Sequence, residues 1–277
     1  MVDAEPAEFN DGTWLKDTSI GFAFVLSDHE EKEALENRRV DFGLIGHNDR
    51  HLQDVEFKDA KKILFVNPSV VSIINFEDEV EEVRDALDGA GVYDNDLIFF
   101  PINNFFVTQG FVTQFRGSHW SLLVFDRLSM TFSHYDSGNQ SNYKVASQFA
   151  EKISPHIVKI KATNKTLSSD NKEEKSVEEK TSEKVKTDNE NNTKAESKVK
   201  ITGALTPQQA NAYDCGMYVI EVARRLAQIF VESGSIGEHQ FVQRSKSDGD
   251  KRKWISPEHI TSERKAWKKK VASQKSL

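Results

Sequence analysis

A chain of 277 residues with a formal net charge of −7 and a single cysteine excludes an internal disulfide framework and disfavours nucleic acid as the main partner. Hydrophobic residues make up 37%, low for a compact globule, which predicts an ordinary core diluted by a polar segment. No stretch approaches the ~18 apolar residues of a membrane span, and the acidic opening MVDAEPAEFNDG lacks the apolar run of a secretory signal, so the chain reads as soluble, of the cytoplasm and/or nucleus.

Taken in order, residues 1–12 are expected to be an N-terminal tail. Ser69–Ile74 follows Pro68 and begins a helix. Asp78–Leu87 places Val80, Val83 and Leu87 three and four apart, the spacing of an amphipathic helix. Leu97–Pro101 is a short apolar run and reads as a buried strand. Trp120–Phe125 and Thr131–Tyr135 are rich in strand formers. Residues 161–200 hold no aromatic and no proline, with both charge signs mixed throughout. Such a stretch buries too little apolar surface to offset its chain entropy, which predicts a disordered surface insertion, or at most a short solvated helix. Cys215–Phe230 has a helical period through Val219, Val222, Ala223, Leu226 and Phe230. Pro257–Val271 is a final helix with Ser256 as N-cap, and residues 273–277 are a tail. From Arg244 onward basic residues outnumber acids, which reads as a solvated helix face plus a loop. The class is α+β: one domain of residues 13–160 and 201–272, interrupted by the insertion.

Cys215 falls at the start of its helix, where free amide donors and partial positive charge favour a thiolate. Asp214 suits the N-cap, and Gly216 allows close approach of another backbone. A nucleophilic cysteine needs a base, and the base needs an orienting group. His119 and Asp136 supply both. A hairpin centred on Arg127–Leu128 sets them directly opposite each other on one face, with Cβ atoms about 4.5–5.5 Å apart. The same register opposes Ser121 to His134 and Leu123 to Phe132. His134 is a rival base with no carboxylate opposite it. The other histidines, at 29, 47, 51, 156, 239 and 259, lie in polar contexts and read as surface residues. No His/Cys cluster has zinc spacing, so no metal or organic cofactor is expected. For the oxyanion, the Cys215 amide and the side chain of Gln208 or Gln209 are candidate donors.

Three segments, GSHWSLLVF (117–125), HYDS (134–137) and QQANAYDCGMYVI (208–220), together resemble the Ulp/sentrin-specific cysteine proteases in motif and in the order His, Asp, Gln, Cys. The family's glutamine-to-cysteine spacing selects Gln209. WLKDTSIGFAF (14–24) and LFVNPSVVSIINF (64–76) extend the likeness, which is nearest to the deneddylase branch. The resemblance implies a papain-like fold, with the cysteine on a central helix packed against a mixed sheet. It implies cleavage after the Gly-Gly tail of a ubiquitin-like modifier, with conjugates such as cullins as substrates, by a monomer. It implies that Trp14 and Trp120 clamp that tail, and that Asp17 pairs with the arginine before it, although Asp17 equally suits a helix cap. Lys16 replaces the family's usual asparagine, and Asn103–Gly117 is longer and more aromatic than its pattern. A SUMO-specific protease and a catalytically inactive modifier-binding module are the alternatives.

Overall fold

The computed structural model describes residues 4–27, 63–104, 107–108, 111–112, 117–166, 200–236 and 255–274. Five strands form one mixed sheet: β1 (Ile63–Phe65), β2 (Leu97–Asn103), β5 (Trp120–Asp126), β6 (Thr131–Tyr135) and β7 (Lys200–Ala204), side by side in that order. β1 runs parallel to β2 and β7 parallel to β6, while β2, β5 and β6 alternate in direction. A separate ribbon pairs β3 (Val107–Thr108) with β4 (Phe111–Val112).

Both faces of the sheet are covered, so its central strands are apolar runs rather than alternating patterns. One face carries Leu97, Phe99, Trp120, Leu122 and Val124. It packs against helix α1 (residues 17–27) and helix α5 (Cys215–Ser233) through Ile20, Phe24, Met217, Ile220 and Leu226. The other carries Ile98, Phe100, Leu123, Phe125 and Phe132. It is covered by α2 (Pro68–Phe76), α3 (Val80–Gly89) and α4 (Tyr143–Thr166).

The expected strands and most helices stand where they were read, with differences at their ends. α2 is capped by the Asn67 side chain, which accepts the Ser69 amide at 2.9 Å. α3 begins at Val80 rather than Asp78, and Val80 is exposed while Val83 and Leu87 are buried. Its apolar seam is therefore narrower than the spacing implied. α5 ends at Gly234, whose φ of 80° supplies the left-handed turn that closes a helix. In α6 (Pro257–Gln274) Ser256 Oγ accepts the His259 amide at 3.1 Å, as an N-cap does.

Strands β1, β3, β4 and β7 went unread in the sequence, as did two helices. α1 is one. The other is α4, whose buried Val145, Ala146, Phe149, Ala150, Ile153 and Ile157 recur at helical spacing despite Pro155. α4 continues through Lys161–Thr166, so the expected insertion begins inside a helix. Lys200, its expected last residue, opens β7, and residues 167–199 lie outside the described residues.

Residues 4–12 are not a tail. A 3₁₀ turn at Pro6–Phe9 buries Phe9, which stacks on Trp267 of α6 with ring centroids 6.4 Å apart. Nor is the basic C-terminal helix simply a solvated face. Arg264 is 2% exposed. Its Nε and Nη2 donate to Asp214 Oδ1 at 2.9 and 2.7 Å, and Nη2 also donates to the Tyr213 carbonyl. Its Nη1 donates to the carbonyls of Glu8, Asn10 and Thr13. One guanidinium thus ties the N-terminal segment and α6 to the loop before Cys215. His259, expected at the surface, joins a second link between α5 and α6 through Glu221 Oε1 at 2.6 Å, beside Arg225.

Arg264→Met is expected to destabilise the fold by about 3–5 kcal/mol, because it leaves a buried carboxylate and four carbonyls without their donor. At this size that corresponds to a fall in melting temperature of roughly 10 °C, readable by calorimetry. A change within the scatter of the wild type would show that the clamp is not structural.

Candidate active site

The hairpin of β5 and β6 aims the site. Its observed register opposes Leu122 to Tyr135, Leu123 to His134 and Phe125 to Phe132. That is two residues away from the expected register, which opposed His119 to Asp136. The cause is the turn, a four-residue loop at 127–130 rather than a tight turn at 127–128. Asp126 Oδ1 accepts the Leu128 amide, the Arg127 amide bonds to the Asp96 carbonyl, and Met130 adopts a φ of 54°. A slip of two preserves the face of every side chain. His119 and Asp136 therefore still meet, along a diagonal, with His119 Nε2 2.5 Å from Asp136 Oδ1.

Asp136 is fully buried. Its Oδ1 also accepts the Gly138 amide at 2.7 Å, and Oδ2 accepts the Asn142 amide at 2.9 Å. Burial alone raises a carboxyl, but the His119 bond and these two amides outweigh it and hold Asp136 below the usual carboxylate range. The backbone of His119 is clamped in turn. Asn104 Oδ1 accepts its amide at 2.9 Å, and Asn142 Nδ2 donates to its carbonyl at 3.1 Å.

Cys215, 1% exposed, is the first residue of α5, so its own amide has no carbonyl one turn back. It lies close enough to the His119 ring to help hold that ring's proton. Since Nε2 faces Asp136, Nδ1 is the nitrogen left for sulfur. Burial opposes a charge on His119, yet the Asp136 bond, the Cys215 thiol and the charges of both push it up to about 9. Asp214 does not cap the helix with its side chain, as was expected. Its carboxylate turns to Arg264 and to Asn211 Nδ2.

The glutamines differ in what they have left to donate. Gln208 gives its amide hydrogens to the carbonyls of Asp136 and Thr206, at 3.2 and 2.8 Å. Gln209 gives one to the Asn211 carbonyl at 2.6 Å, which leaves the other N–H. Its Oε1 accepts from Ser137 Oγ and its backbone amide bonds to the Ser137 carbonyl, so it hangs beside Asp136.

The expected tail-binding residues are placed unequally. Trp14 is 41% exposed, whereas Trp120 is 4% exposed and donates its indole N–H to the Leu15 carbonyl at 3.1 Å. Trp120 thereby tethers the segment that carries Trp14. Leu15 packs on Gly216, where an added Cβ would lie 3.0 Å from Leu15 Cβ. This close approach brings the Trp14 segment to the start of α5. Asp17 is the exposed first residue of α1, a favourable place for an acid at a helix N-terminus. The residues that hold the pair, Asn104, Gly138 and Asn142, were not singled out in the sequence. An amide side chain or a glycine in a turn carries no signal of what lies opposite it.

The fold and this group of side chains are those of a cysteine-type peptidase. The chain belongs to the Ulp1 protease family: a sequence model of its C-terminal catalytic domain matches residues 13–270. It is 26% identical over 258 residues to human sentrin-specific protease 8, covering 92% of this chain and 84% of that protein. It is 27% identical over 175 residues to NEDD8-specific protease 1 of Arabidopsis thaliana, covering 62% of this chain and 59% of the relative, under two thirds of that protein's length. The fold is also that of the C-terminal Ulp1 protease domain solved in complex with SMT3, the yeast ortholog of SUMO. The TM-score is 0.51 at 15% identity, covering 97% of this chain and 81% of that one.

The charge state of the pair sets a pH dependence. His119 binds its proton more tightly folded than its ordinary value of 6.5 allows unfolded. Its contribution to stability is therefore complete below that value and lost as pH rises through about 9. The melting temperature is expected to decline across this window, and kcat/KM to fall above it as the imidazolium is lost. Cys215→Ala is expected to bring the His119 titration down, as followed by NMR. A His119 that titrates near its ordinary value in the wild type would contradict this.

Proposed function

We propose that this chain is a cysteine isopeptidase that cleaves after the C-terminal Gly-Gly of a ubiquitin-like modifier. The neddylation modifier is its preferred substrate, released from conjugates such as cullins and from its precursor, by a monomer of the cytoplasm and/or nucleus. The observation that carries the reading is the His119 ring held 2.5 Å from the buried Asp136, with the Cys215 thiol near enough to help hold its proton. The names borne by the human and Arabidopsis relatives support the choice of modifier.

In the mechanism, the Cys215 thiolate attacks the carbonyl carbon of the modifier's last glycine, and the carbonyl oxygen takes the negative charge. The Cys215 amide and the uncommitted N–H of Gln209 hold that oxygen. The intermediate collapses, the C–N bond breaks, and His119 gives its proton to the departing amine. Neutral His119 then takes a proton from water as the water attacks the thioester. The modifier leaves with a free carboxylate, and the thiolate–imidazolium pair is restored. Asp136 holds the ring in place and supports its charge throughout. Trp14 and Trp120 flank the Gly-Gly tail, whose lack of side chains suits a slot that bulkier residues cannot enter. Asp17 meets the arginine before it.

Gln209→Ala is expected to lower kcat by about 100- to 1000-fold with the fold intact. An unchanged kcat would remove it from the oxyanion site. The choice of modifier is tested by kcat/KM on C-terminal fusions of the neddylation modifier, ubiquitin and SUMO. The reading predicts the first to be cleaved fastest, and preference for the SUMO fusion would overturn it.

A further inference from the structure

His134 is a buried titratable group that the mechanism above does not use. It lies on β6, two residues before Asp136, and is 0% exposed. The inward neighbours Leu123, Phe125 and Phe132 are wholly apolar and equally buried. A histidine among them needs a partner on each ring nitrogen, and it has both. Nδ1 is 2.9 Å from Gln140 Oε1 and Nε2 is 2.9 Å from Ser121 Oγ.

The directions of these bonds follow from their far ends. Gln140 donates its Nε2 to the Ala204 carbonyl, so Oε1 is the acceptor that faces His134. Nδ1 therefore carries the proton and Nε2 is bare. Ser121 must give its hydroxyl proton to Nε2, which leaves its oxygen to accept from Asn142 Nδ2 at 3.2 Å. Asn142 is the residue that bonds Asp136 Oδ2 through its backbone amide and the His119 carbonyl through its side chain. Its Oδ1 is buried without a partner, so only the donor end of that side chain is held.

The loop that delivers Gln140 is strained. Asn139 and Gln140 adopt φ values of 56° and 60°, a left-handed conformation that non-glycine residues avoid and that persists only where the surroundings impose it. Gly203 leaves room for this glutamine, since a Cβ there would come within 3.3 Å of its Oε1.

We propose that His134 is a positioning residue for the His119–Asp136 pair. As a neutral imidazole it orients the Ser121 hydroxyl and, through it, the Asn142 side chain on the His119 carbonyl, while the Asn142 backbone amide holds Asp136. The proposal rests on the catalytic reading of that pair. The groups that face His134 are Asp136 and His119, with opposite electrostatic effects, and the Tyr143 ring, edge-on at 5.8 Å. Burial, the largest influence, keeps the imidazole below its ordinary range. A second proton would place an N–H against Ser121 and reverse the chain of donors.

The test uses two substitutions that split the imidazole. His134→Gln puts an amide oxygen where Nε2 stands and keeps an acceptor for Ser121. His134→Asn reaches only as far as Nδ1, so it keeps the contact to Gln140 and leaves Ser121 without its acceptor. His134→Asn and Ser121→Ala are each expected to lower kcat about tenfold with KM unchanged, and to move the basic limb of the pH profile to lower pH. The double variant is no worse than either single one. His134→Gln restores most of the rate. Equal losses for Asn and Gln, a loss confined to KM, or an unmoved basic limb would overturn the proposal. His119→Ala separates the two readings: if it stays active the catalytic assignment fails, and if it is inactive while His134→Asn is unimpaired only the positioning role fails.

Discussion

Cys215→Ala is expected to abolish turnover, by roughly a millionfold in kcat, while the variant still binds the modifier. No other thiol exists in the chain to take over the attack. The side chain is 1% exposed within the core shared by α5, α1 and the sheet. Alanine there leaves a gap of one sulfur, about 1 kcal/mol of lost packing, which the fold absorbs. Gly216 and its contact with Leu15 are untouched, so the segment carrying Trp14 stays seated on the helix. Cleavage of a modifier fusion followed on gels reads the loss, and calorimetry reads the retained binding. Residual cleavage above the uncatalysed rate would remove Cys215 from the chemistry.

Gly138→Ala is expected to lower kcat/KM by at least about a hundredfold, the scale expected when a reacting group is misplaced by about an ångström. An added Cβ at 138 would lie 2.5 Å from His119 Cε1 and 2.6 Å from Nε2, with Asp136 Oδ1 at 3.2 Å. Atoms cannot share that space, so the ring must leave Asp136. Gly138 is not among the glycines with positive φ, so its backbone accepts alanine and the effect comes from the contact alone. Below about pH 9 the melting temperature is expected to fall as His119 loses the carboxylate that holds its proton, and the basic limb of the pH profile moves down with it. Wild-type activity in this variant would show that the ring need not sit where it does.

The core of this site was legible in the sequence because its chemistry needs particular residue types. A lone cysteine at a helix start, and a histidine and an aspartate at the ends of two adjacent strands, are recognisable from pattern alone. The parity of those strands put His119 and Asp136 on one face, and that survived an error of two residues in register. The register itself was not legible. It depends on Asp126, Arg127 and Met130 closing a four-residue loop, and on the Asp96 carbonyl, which is remote in sequence. Long-range polar contacts were hidden for the same reason. Arg264 reads as one more lysine-like charge in ERKAWKKK, yet the fold buries it against carbonyls of the first thirteen residues. Asn104 and Asn142 look like loop residues until the chain brings His119 between them. α4 was legible but unread, since its buried positions keep helical spacing up to the polar segment.

The most direct measurement is to react the protein with the neddylation modifier bearing a C-terminal electrophile and to locate the adduct by mass spectrometry. The arrangement of Cys215, His119 and Asp136 predicts a single thioether on Cys215, formed more slowly as pH rises past about 9 and lost in His119→Ala. An adduct on any other residue, or labelling undiminished in His119→Ala, would contradict it.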